Sequence, residues 1–186
     1  ELKRKRGVAD HPFVDVSRID EVVGTREHRR AAQRITDRTT NVLRNDADLL
    51  PLRDVPGRVL VTGTEPGALA ERIRSRGPRA TALNTGTEPK PEQIEQAVAS
   101  AGKHDLTVVL TNAAWDDTKQ QDLVRALRQA GKPVIAVAVR DPYDAAYVEQ
   151  VPTWIATYSD KPVAMESLAK VLFGELKPNG KLPVSV

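Results

Sequence analysis

The fold is decided by the stretch Gly131-Lys-Pro-Val-Ile-Ala-Val-Ala-Val-Arg-Asp-Pro-Tyr-Asp144. Within it, Val134 to Val139 form an unbroken apolar run rich in β-branched residues. A short apolar run without polar alternation is typical of a strand buried on both faces, as in a parallel sheet with helices on each side. Pro133 stands at the strand's start, where its missing N–H does least harm, and Asp141-Pro142 turns the chain away. We therefore predict a central strand here, whose carboxyl end is a place for a ligand or a partner.

Strands and helices alternate on both sides of this central strand. The predicted strands are Arg58–Thr62, Ala80–Leu83, Leu106–Thr111, Pro133–Val139 and Trp154–Tyr158, and Leu182–Val186 is a candidate edge strand. The predicted helices are Gly67–Ser75, Pro91–Ala101, Thr118–Ala130 and Val163–Phe173, with a short helical turn at Ala145–Glu149. Such alternation implies parallel pairing with right-handed crossovers. We therefore predict an α/β fold, a three-layer α/β/α sandwich with a mostly parallel sheet of about five strands plus the candidate edge strand.

The N-terminal quarter has a different pattern. Residues 1–24 lack periodicity and are predicted to be a linker or the end of a preceding domain, so that the α/β domain spans residues 25–186. Thr25 to about Val42 is predicted to be a helix that Thr25 caps. Four arginines (Arg26, Arg30, Arg34 and Arg38) share one face of this helix, which is a solvated face, a contact with an acidic partner domain, or a homodimer interface. Asn45 to Gly57 is predicted to be a polar connection.

Composition excludes several classes of protein. The 186 residues are 40% hydrophobic and 28% charged, which is ordinary for a globular protein with one core. No apolar run approaches the roughly 20 residues that span a membrane, and a net charge of +3 does not indicate a nucleic-acid partner. The absence of cysteine excludes disulfides and thiolate chemistry. The chain begins at Glu1, so we expect a fragment or a processed form; the compartment stays open, with a secreted or envelope location favoured.

Polar and aromatic residues follow the predicted strands, so they should share one rim of the sheet. The candidate binding or interdomain residues of this rim are Asn112, Trp115, Asp116, Arg140, Tyr143, Asp144 and Tyr158. Two carboxylates about 5 to 9 Å apart could hydrolyse a glycoside, but helix caps and turns explain aspartates after strands equally well. The aromatic side chains could bind a carbohydrate or pack on another domain, and we favour packing.

Other kinds of site have little support in the sequence. Gly63 to Gly67 follows a strand but lacks the Gly-x-Gly-x-x-Gly and Walker A patterns, so a tight turn is the better interpretation. The three histidines (His11, His28 and His104) are far apart and have no metal-ligand spacing. No Gly-x-Ser-x-Gly nucleophile motif occurs. We therefore predict no metal and no cofactor.

Several segments resemble the second domain of glycoside hydrolase family 3. They are Val22-Val-Gly-Thr-Arg-Glu-His28, Arg34-Ile-Thr-Asp-Arg-Thr-Thr-Asn-Val-Leu-Arg-Asn-Asp46, Leu49-Leu-Pro-Leu52, Gly131-Lys-Pro-Val134, Asp141-Pro-Tyr-Asp144 and Leu172-Phe-Gly-Glu175 through Pro178-Asn-Gly-Lys-Leu-Pro-Val184. The last segment is the most specific, and the resemblance runs over nearly the whole chain. The compact size and the Arg140-Asp-Pro-Tyr-Asp144 form resemble the β-N-acetylhexosaminidase branch more than the larger β-glucosidases.

This resemblance implies a partner domain and an activity of the parent protein. It implies a preceding (β/α)₈ barrel, which needs about 250 residues and which would supply the nucleophilic Asp and the acid/base His of the hexosaminidase branch. None of the three histidines here matches that acid/base, so no catalytic residue is carried over. The expected function is that of a non-catalytic C-terminal domain of a retaining hydrolase acting on terminal β-N-acetylglucosaminides, with a saccharide-binding module and a dimerisation domain as alternatives.

Overall fold

The structure, a computed structural model, describes residues 1–10, 13–148, 150–182 and 184–185. Its centre is a six-stranded sheet in the order β1-β6-β5-β4-β2-β3. The strands are β1 (Asn41–Asn45), β2 (Arg58–Gly63), β3 (Arg79–Asn84), β4 (Leu106–Thr111), β5 (Val134–Ala138) and β6 (Thr153–Ala156). β2 to β6 are mutually parallel and β1 is antiparallel to β6. The predicted mostly parallel sheet is therefore confirmed.

Eight α-helical segments accompany the sheet in the described part of the chain. They are α1 (Leu2–Lys5), α2 (Ile19–Val22), α3 (Arg26–Thr36), α4 (Gly67–Arg74), α5 (Pro91–Ala101), α6 (Thr118–Gln129), α7 (Asp144–Tyr147) and α8 (Pro162–Leu172). Single 3₁₀ turns lie at Val16–Arg18 and Ala114–Asp116. None of the described helices is long and apolar enough to cross a membrane.

The two faces of β5 explain why its sequence shows no polar alternation. Ile135 and Val137 lie in one apolar cluster together with buried residues of α4 and α8. Val134 and Ala136 lie in a second cluster on the other face, with buried residues of α5 and α6. Because side chains alternate across a strand, both faces of β5 need apolar residues. The predicted three-layer arrangement is therefore present.

Helix α3 is an outer element that docks on α8 through polar contacts. None of its residues is buried. Asp37, just after α3, accepts hydrogen bonds from Gln33 Nε2 (2.8 Å), Ser167 Oγ (2.7 Å) and Lys170 Nζ (2.9 Å). Burial by itself would raise the pKa of Asp37, but these hydrogen bonds outweigh it and hold the pKa below its usual value. The carboxylate therefore joins two helices that share little apolar surface.

The predicted helix from Thr25 to Val42 is wrong after Thr36. Thr25 caps the helix as expected, its Oγ1 accepting from His28 N at 3.2 Å. The helix ends at Thr36, and Asn41 to Asn45 form β1 instead. The chain enters this strand because Val42 and its neighbours pair with β6. The polar connection predicted to begin at Asn45 therefore begins after this strand.

The candidate edge strand at Leu182–Val186 is also wrong where the structure describes it. Leu182, Val184 and Ser185 are not in a strand, and Pro183 and Val186 lie outside the described residues. The two edges of the sheet are formed by β1 and β3. The predicted turn at Ala145–Glu149 corresponds to α7, with Glu149 outside the described residues. The short helices α1 and α2 occupy part of the predicted linker.

Candidate functional site

The carboxyl ends of the five parallel strands meet at one rim of the sheet. Because β1 is antiparallel, its first residue, Asn41, lies at the same rim opposite Ala156. Between β2 and β4, where the strand order reverses, the backbone is closely packed. Thr64 N donates to Leu110 O at 3.1 Å, and a Cβ on Gly63 would overlap the Leu110 carbonyl. Space for a ligand or a partner at the rim therefore lies away from this crevice, over β5 and beside β1.

Three aromatic side chains form the aromatic cluster of the rim: Trp115, Tyr143 and Tyr147. They are 39%, 40% and 51% exposed. With Ala146 and Ser185 they line a shallow groove of about 410 Å³. Trp115 lies on the 3₁₀ turn after β4, and the tyrosines flank the start and the end of α7. The groove is large enough for a sugar ring or for a side chain of another domain.

Asp144 lies directly beneath the aromatic cluster and holds it in place. Its side chain is fully buried. Thr111 Oγ1 donates to its Oδ2 at 2.6 Å, and the Trp115 backbone N–H donates to its Oδ1 at 3.0 Å. Burial raises the pKa of Asp144 above its usual value, the nearby Asp141 carboxylate adds to the rise, and the two hydrogen bonds oppose it. This carboxyl group positions the rim and has no access to a substrate.

Asp141 ties the Trp115 indole to the loop after β5. Its Oδ2 accepts from Trp115 Nε1 at a long 3.4 Å, and its Oδ1 is buried without a hydrogen bond in the described part of the chain. The indole edge is therefore oriented while its face stays exposed. An oriented and exposed indole is typical of residues that anchor an interface or stack on a sugar.

The other predicted rim residues do not all join the aromatic cluster. The backbone of Asn112 is held by the Gln120 amide, which accepts from its N–H at 2.9 Å and donates to its carbonyl at 3.0 Å. Asp116 and Arg140 are exposed. Tyr158 stands at the far edge of the sheet, where its hydroxyl donates to Asn41 Oδ1 at 3.0 Å. The structure thus brings Trp115, Tyr143 and Asp144 together and separates Tyr158 from them.

A second hollow, the edge pocket, lies around Tyr158. It has a volume of about 390 Å³ and is lined by Thr36, Arg38, Thr39, Asn41, Thr157, Tyr158, Ser159, Gly180 and Lys181. These residues come from the end of α3, the start of β1, the end of β6 and the C-terminal segment. Burial raises the pKa of the Tyr158 hydroxyl above its usual value, so this group remains a neutral donor.

Sequence analysis missed several residues of these two hollows, among them Tyr147, Asn41 and Lys181. Tyr147 follows Tyr143 by four positions, a helical spacing that places both on one side. Asn41 carried no signal because it reaches the rim only through the antiparallel pairing of β1. Lys181 carried none because it depends on the packing of the C-terminal segment against Asn41. Within the described residues, no group of three or more His, Asp or Glu side chains is arranged to hold a metal ion.

Comparison with known proteins finds a matching family and similar sequences. Residues 41–186 match the profile of a family described as the glycosyl hydrolase family 3 C-terminal domain. A β-xylosidase of Formosa agariphila is 24% identical over 228 residues, which cover 98% of this chain and 31% of that protein.

Solved structures show the same fold. A glycoside hydrolase family 3 β-N-acetylglucosaminidase from Paenibacillus sp. superposes with a TM-score of 0.86 and 25% identity over 98% of this chain and 37% of that one. A β-glucosidase from Listeria innocua gives a TM-score of 0.77 and 19% identity over 97% of this chain and 30% of that one. The chain therefore spans about a third of the length of these relatives.

Proposed function

This chain belongs to the C-terminal domain family of glycosyl hydrolase family 3, and we propose that it is the non-catalytic C-terminal domain of a glycosidase acting on terminal β-N-acetylglucosaminides. The observation that carries the proposal is the likeness, along nearly the whole chain, to a β-N-acetylglucosaminidase of this family. The β-glucosidase from Listeria innocua superposes less closely on this chain, with a TM-score of 0.77 against 0.86.

The rim carboxylates support a non-catalytic role for this domain. A glycosidase needs two carboxyl groups that reach the two sides of a glycosidic bond. Asp144 is buried and engaged by Thr111 and Trp115. Asp117 caps α6, with its Oδ1 accepting from Lys119 N at 2.9 Å. These groups stabilise loops, so the reacting groups are proposed to come from a preceding (β/α)₈ barrel.

The aromatic cluster is the proposed contact with that barrel. Oriented and half-exposed Trp and Tyr side chains are favoured at the core of interfaces. The same proposal makes residues 25–186 the domain and residues 1–24 the connection that leads into it. Removing the Trp115 indole should then weaken the association of the two domains without unfolding this one, because the indole packs on no buried core cluster.

The specificity is tested with the longer natural chain and three chromogenic substrates. We expect kcat/KM for the β-N-acetylglucosaminide to exceed the values for the β-xyloside and the β-glucoside by at least about tenfold, the factor that one good hydrogen bond to the acetamido group would supply. A higher kcat/KM for the xyloside or the glucoside would refute the N-acetylglucosaminide part and leave the domain assignment unchanged.

A saccharide-binding module is the second candidate, and the open groove over Trp115 and Tyr143 favours it. Titration of the chain with N-acetylglucosamine oligomers, followed by tryptophan fluorescence, distinguishes the two. Saturable binding that disappears in Trp115→Ala and Tyr143→Ala would establish the module. Absence of binding at millimolar oligomer leaves the interdomain contact as the role of this cluster.

A further inference from the structure

We propose that the edge pocket binds a small ligand that carries an oxyanion, of about the size of a sugar phosphate or a uronic acid. This pocket lies around Tyr158 and Asn41, apart from the aromatic cluster. The proposal goes beyond the glycosidase assignment and does not rest on it.

The charge of the pocket is the first argument. Among its lining residues Arg38 and Lys181 are cationic, and none is acidic. Neither cation forms an ion pair or a side-chain hydrogen bond with the residues that the structure describes. The two carboxylates next to the lining in sequence are already paired, Asp160 with Lys161 and Asp37 with Lys170. The pocket therefore carries two positive charges that form no ion pair with the described carboxylates.

The hydrogen-bond inventory points the same way. Three threonine hydroxyls of the lining donate to backbone carbonyl oxygens: Thr36 to Ala32, Thr39 to Thr36 and Thr157 to Ser159. Their oxygens are left as weak acceptors. Arg38 and Lys181 can only donate, and the Ser159 hydroxyl, which accepts from Lys161 N at 3.1 Å, keeps its own proton for donation. Arg38, Lys181 and Ser159 therefore leave free donors in the pocket, which a ligand rich in acceptor oxygens would satisfy.

Asn41 supplies an amide donor to the pocket. The residue is only 4% exposed, and the Tyr158 hydroxyl donates to its side-chain Oδ1 at 3.0 Å. That bond fixes the amide so that Nδ2 is its donor side. Nδ2 forms no hydrogen bond within the described residues. The Nδ2 amide group is therefore available to donate to an acceptor oxygen of a ligand in the pocket.

The C-terminal segment forms one wall of the pocket, and its backbone lies close to Thr40 and Asn41. A Cβ on Gly180 would lie 2.8 Å from Thr40 O and 2.9 Å from Asn41 Oδ1, so only glycine fits here without a shift. This approach of the backbone brings Lys181 to the pocket beside Asn41. The volume of about 390 Å³ is that of a small-molecule site, and an Arg guanidinium pairs bidentately with a carboxylate or a phosphate.

Isothermal titration of the chain with glucose 6-phosphate and with glucose tests the proposal, because the two ligands differ only in the oxyanion. We expect glucose 6-phosphate to bind, with an affinity at least about tenfold above that of glucose and falling as salt is raised. Glucuronate and inorganic phosphate are titrated in parallel. A preference for glucuronate or for the phosphates identifies the oxyanion as carboxylate or phosphoryl, and each supports the site.

Matched variants locate the binding. Arg38→Gln and Lys181→Gln should each lower the affinity for the preferred anion about tenfold, since each removes one charge-assisted contact from an exposed position. Arg34→Gln, one turn earlier on α3, and Lys177→Gln, four residues before Lys181, should leave it unchanged. Equal binding of glucose and glucose 6-phosphate would overturn the proposal. So would anion binding that Arg38→Gln and Lys181→Gln leave intact, or no anion binding at millimolar concentration. None of these outcomes depends on glycosidase activity.

Discussion

Asp144 shows how one buried residue holds the rim together. It begins α7, accepts from the last residue of β4 through Thr111 Oγ1, and accepts from the backbone of Trp115 on the following turn. An ionised carboxylate at this depth loses its hydration, and two hydrogen bonds recover only part of that loss. Asp144 therefore fixes the geometry of the rim. It lowers the free energy of unfolding more as a larger fraction of its carboxyl group is ionised.

The destabilisation by ionised Asp144 predicts that the free energy of unfolding depends on pH, and that Asp144→Asn removes this contribution. Because the pKa of Asp144 is raised in the folded state, its contribution to stability is present at acid pH and is lost as pH rises through that raised value. The difference in free energy of unfolding between wild type and Asp144→Asn, measured in urea from pH 4 to pH 8, should shift in the variant's favour as pH rises. Asp116→Asn, at an exposed position of the same rim, is the matched control. A flat difference for both variants would contradict this account of Asp144.

Two glycines four residues apart, at the end of β2 and the start of α4, give opposite predictions. Gly63 has a φ of +94°, and a Cβ there would overlap the Leu110 carbonyl, whereas a Cβ on Gly67 would meet no atom within 4 Å. Gly63→Ala should lower the free energy of unfolding by about 3 kcal/mol, since a strained backbone and overpacking add. Gly67→Ala, in the first turn of α4, should be neutral or stabilising by up to about 1 kcal/mol. Chemical denaturation of both variants measures this, and equal effects would contradict it.

At the scale of elements, α3 depends on Asp37 for its attachment to α8. Asp37→Asn should destabilise the chain by about 1 to 3 kcal/mol at pH 7, because the hydrogen bonds from Ser167 and Lys170 lose their charged acceptor. Since the pKa of Asp37 is lowered in the folded state, its contribution is present above its usual pKa and is lost as pH falls. The penalty should therefore shrink towards pH 3, as thermal unfolding at both pH values would show. Asp54→Asn, at an exposed site, serves as the control.

The strands of the core could be predicted from sequence, and the edge strand could not. β4 and β5 have continuous apolar runs because helices cover both of their faces, so their own residues identify them. β1 carries only Val42 and Leu43 as apolar residues, and that pair fits the end of a helix equally well. Its strand character comes from pairing with β6, more than a hundred residues later. A local pattern does not contain that information.

The same limit explains what was predictable of the candidate sites. Trp115, Tyr143 and Asp144 directly follow parallel strands, so the rule for strand ends brings them together correctly. Tyr158 follows the same rule but belongs to a different hollow, because β6 lies at the far side of the parallel set. The edge pocket is formed in part by β1 and the C-terminal segment, and the sequence predicted neither of them correctly. The positions of Asn41 and Lys181 in this pocket could therefore not be predicted.

At the scale of the whole molecule, the chain has a three-layer core and an exposed rim at the carboxyl ends of its parallel strands. Both apolar clusters are closed by the helices of this chain, so the domain does not need a neighbour to bury its core. The rim offers a surface to a neighbour, with an aromatic cluster on one side and a cationic pocket on the other. The proposed supporting role of the domain uses this rim.

The most direct test of that claim is the hydrolysis of a chromogenic β-N-acetylglucosaminide by the 186-residue chain and by the longer natural chain under the same conditions. The account predicts turnover by the longer chain and none by the 186-residue chain, because the reacting carboxylate and acid/base are proposed to lie in the barrel. Turnover by the 186-residue chain alone, lost on substitution of a rim residue, would contradict it and place the catalytic groups in this domain.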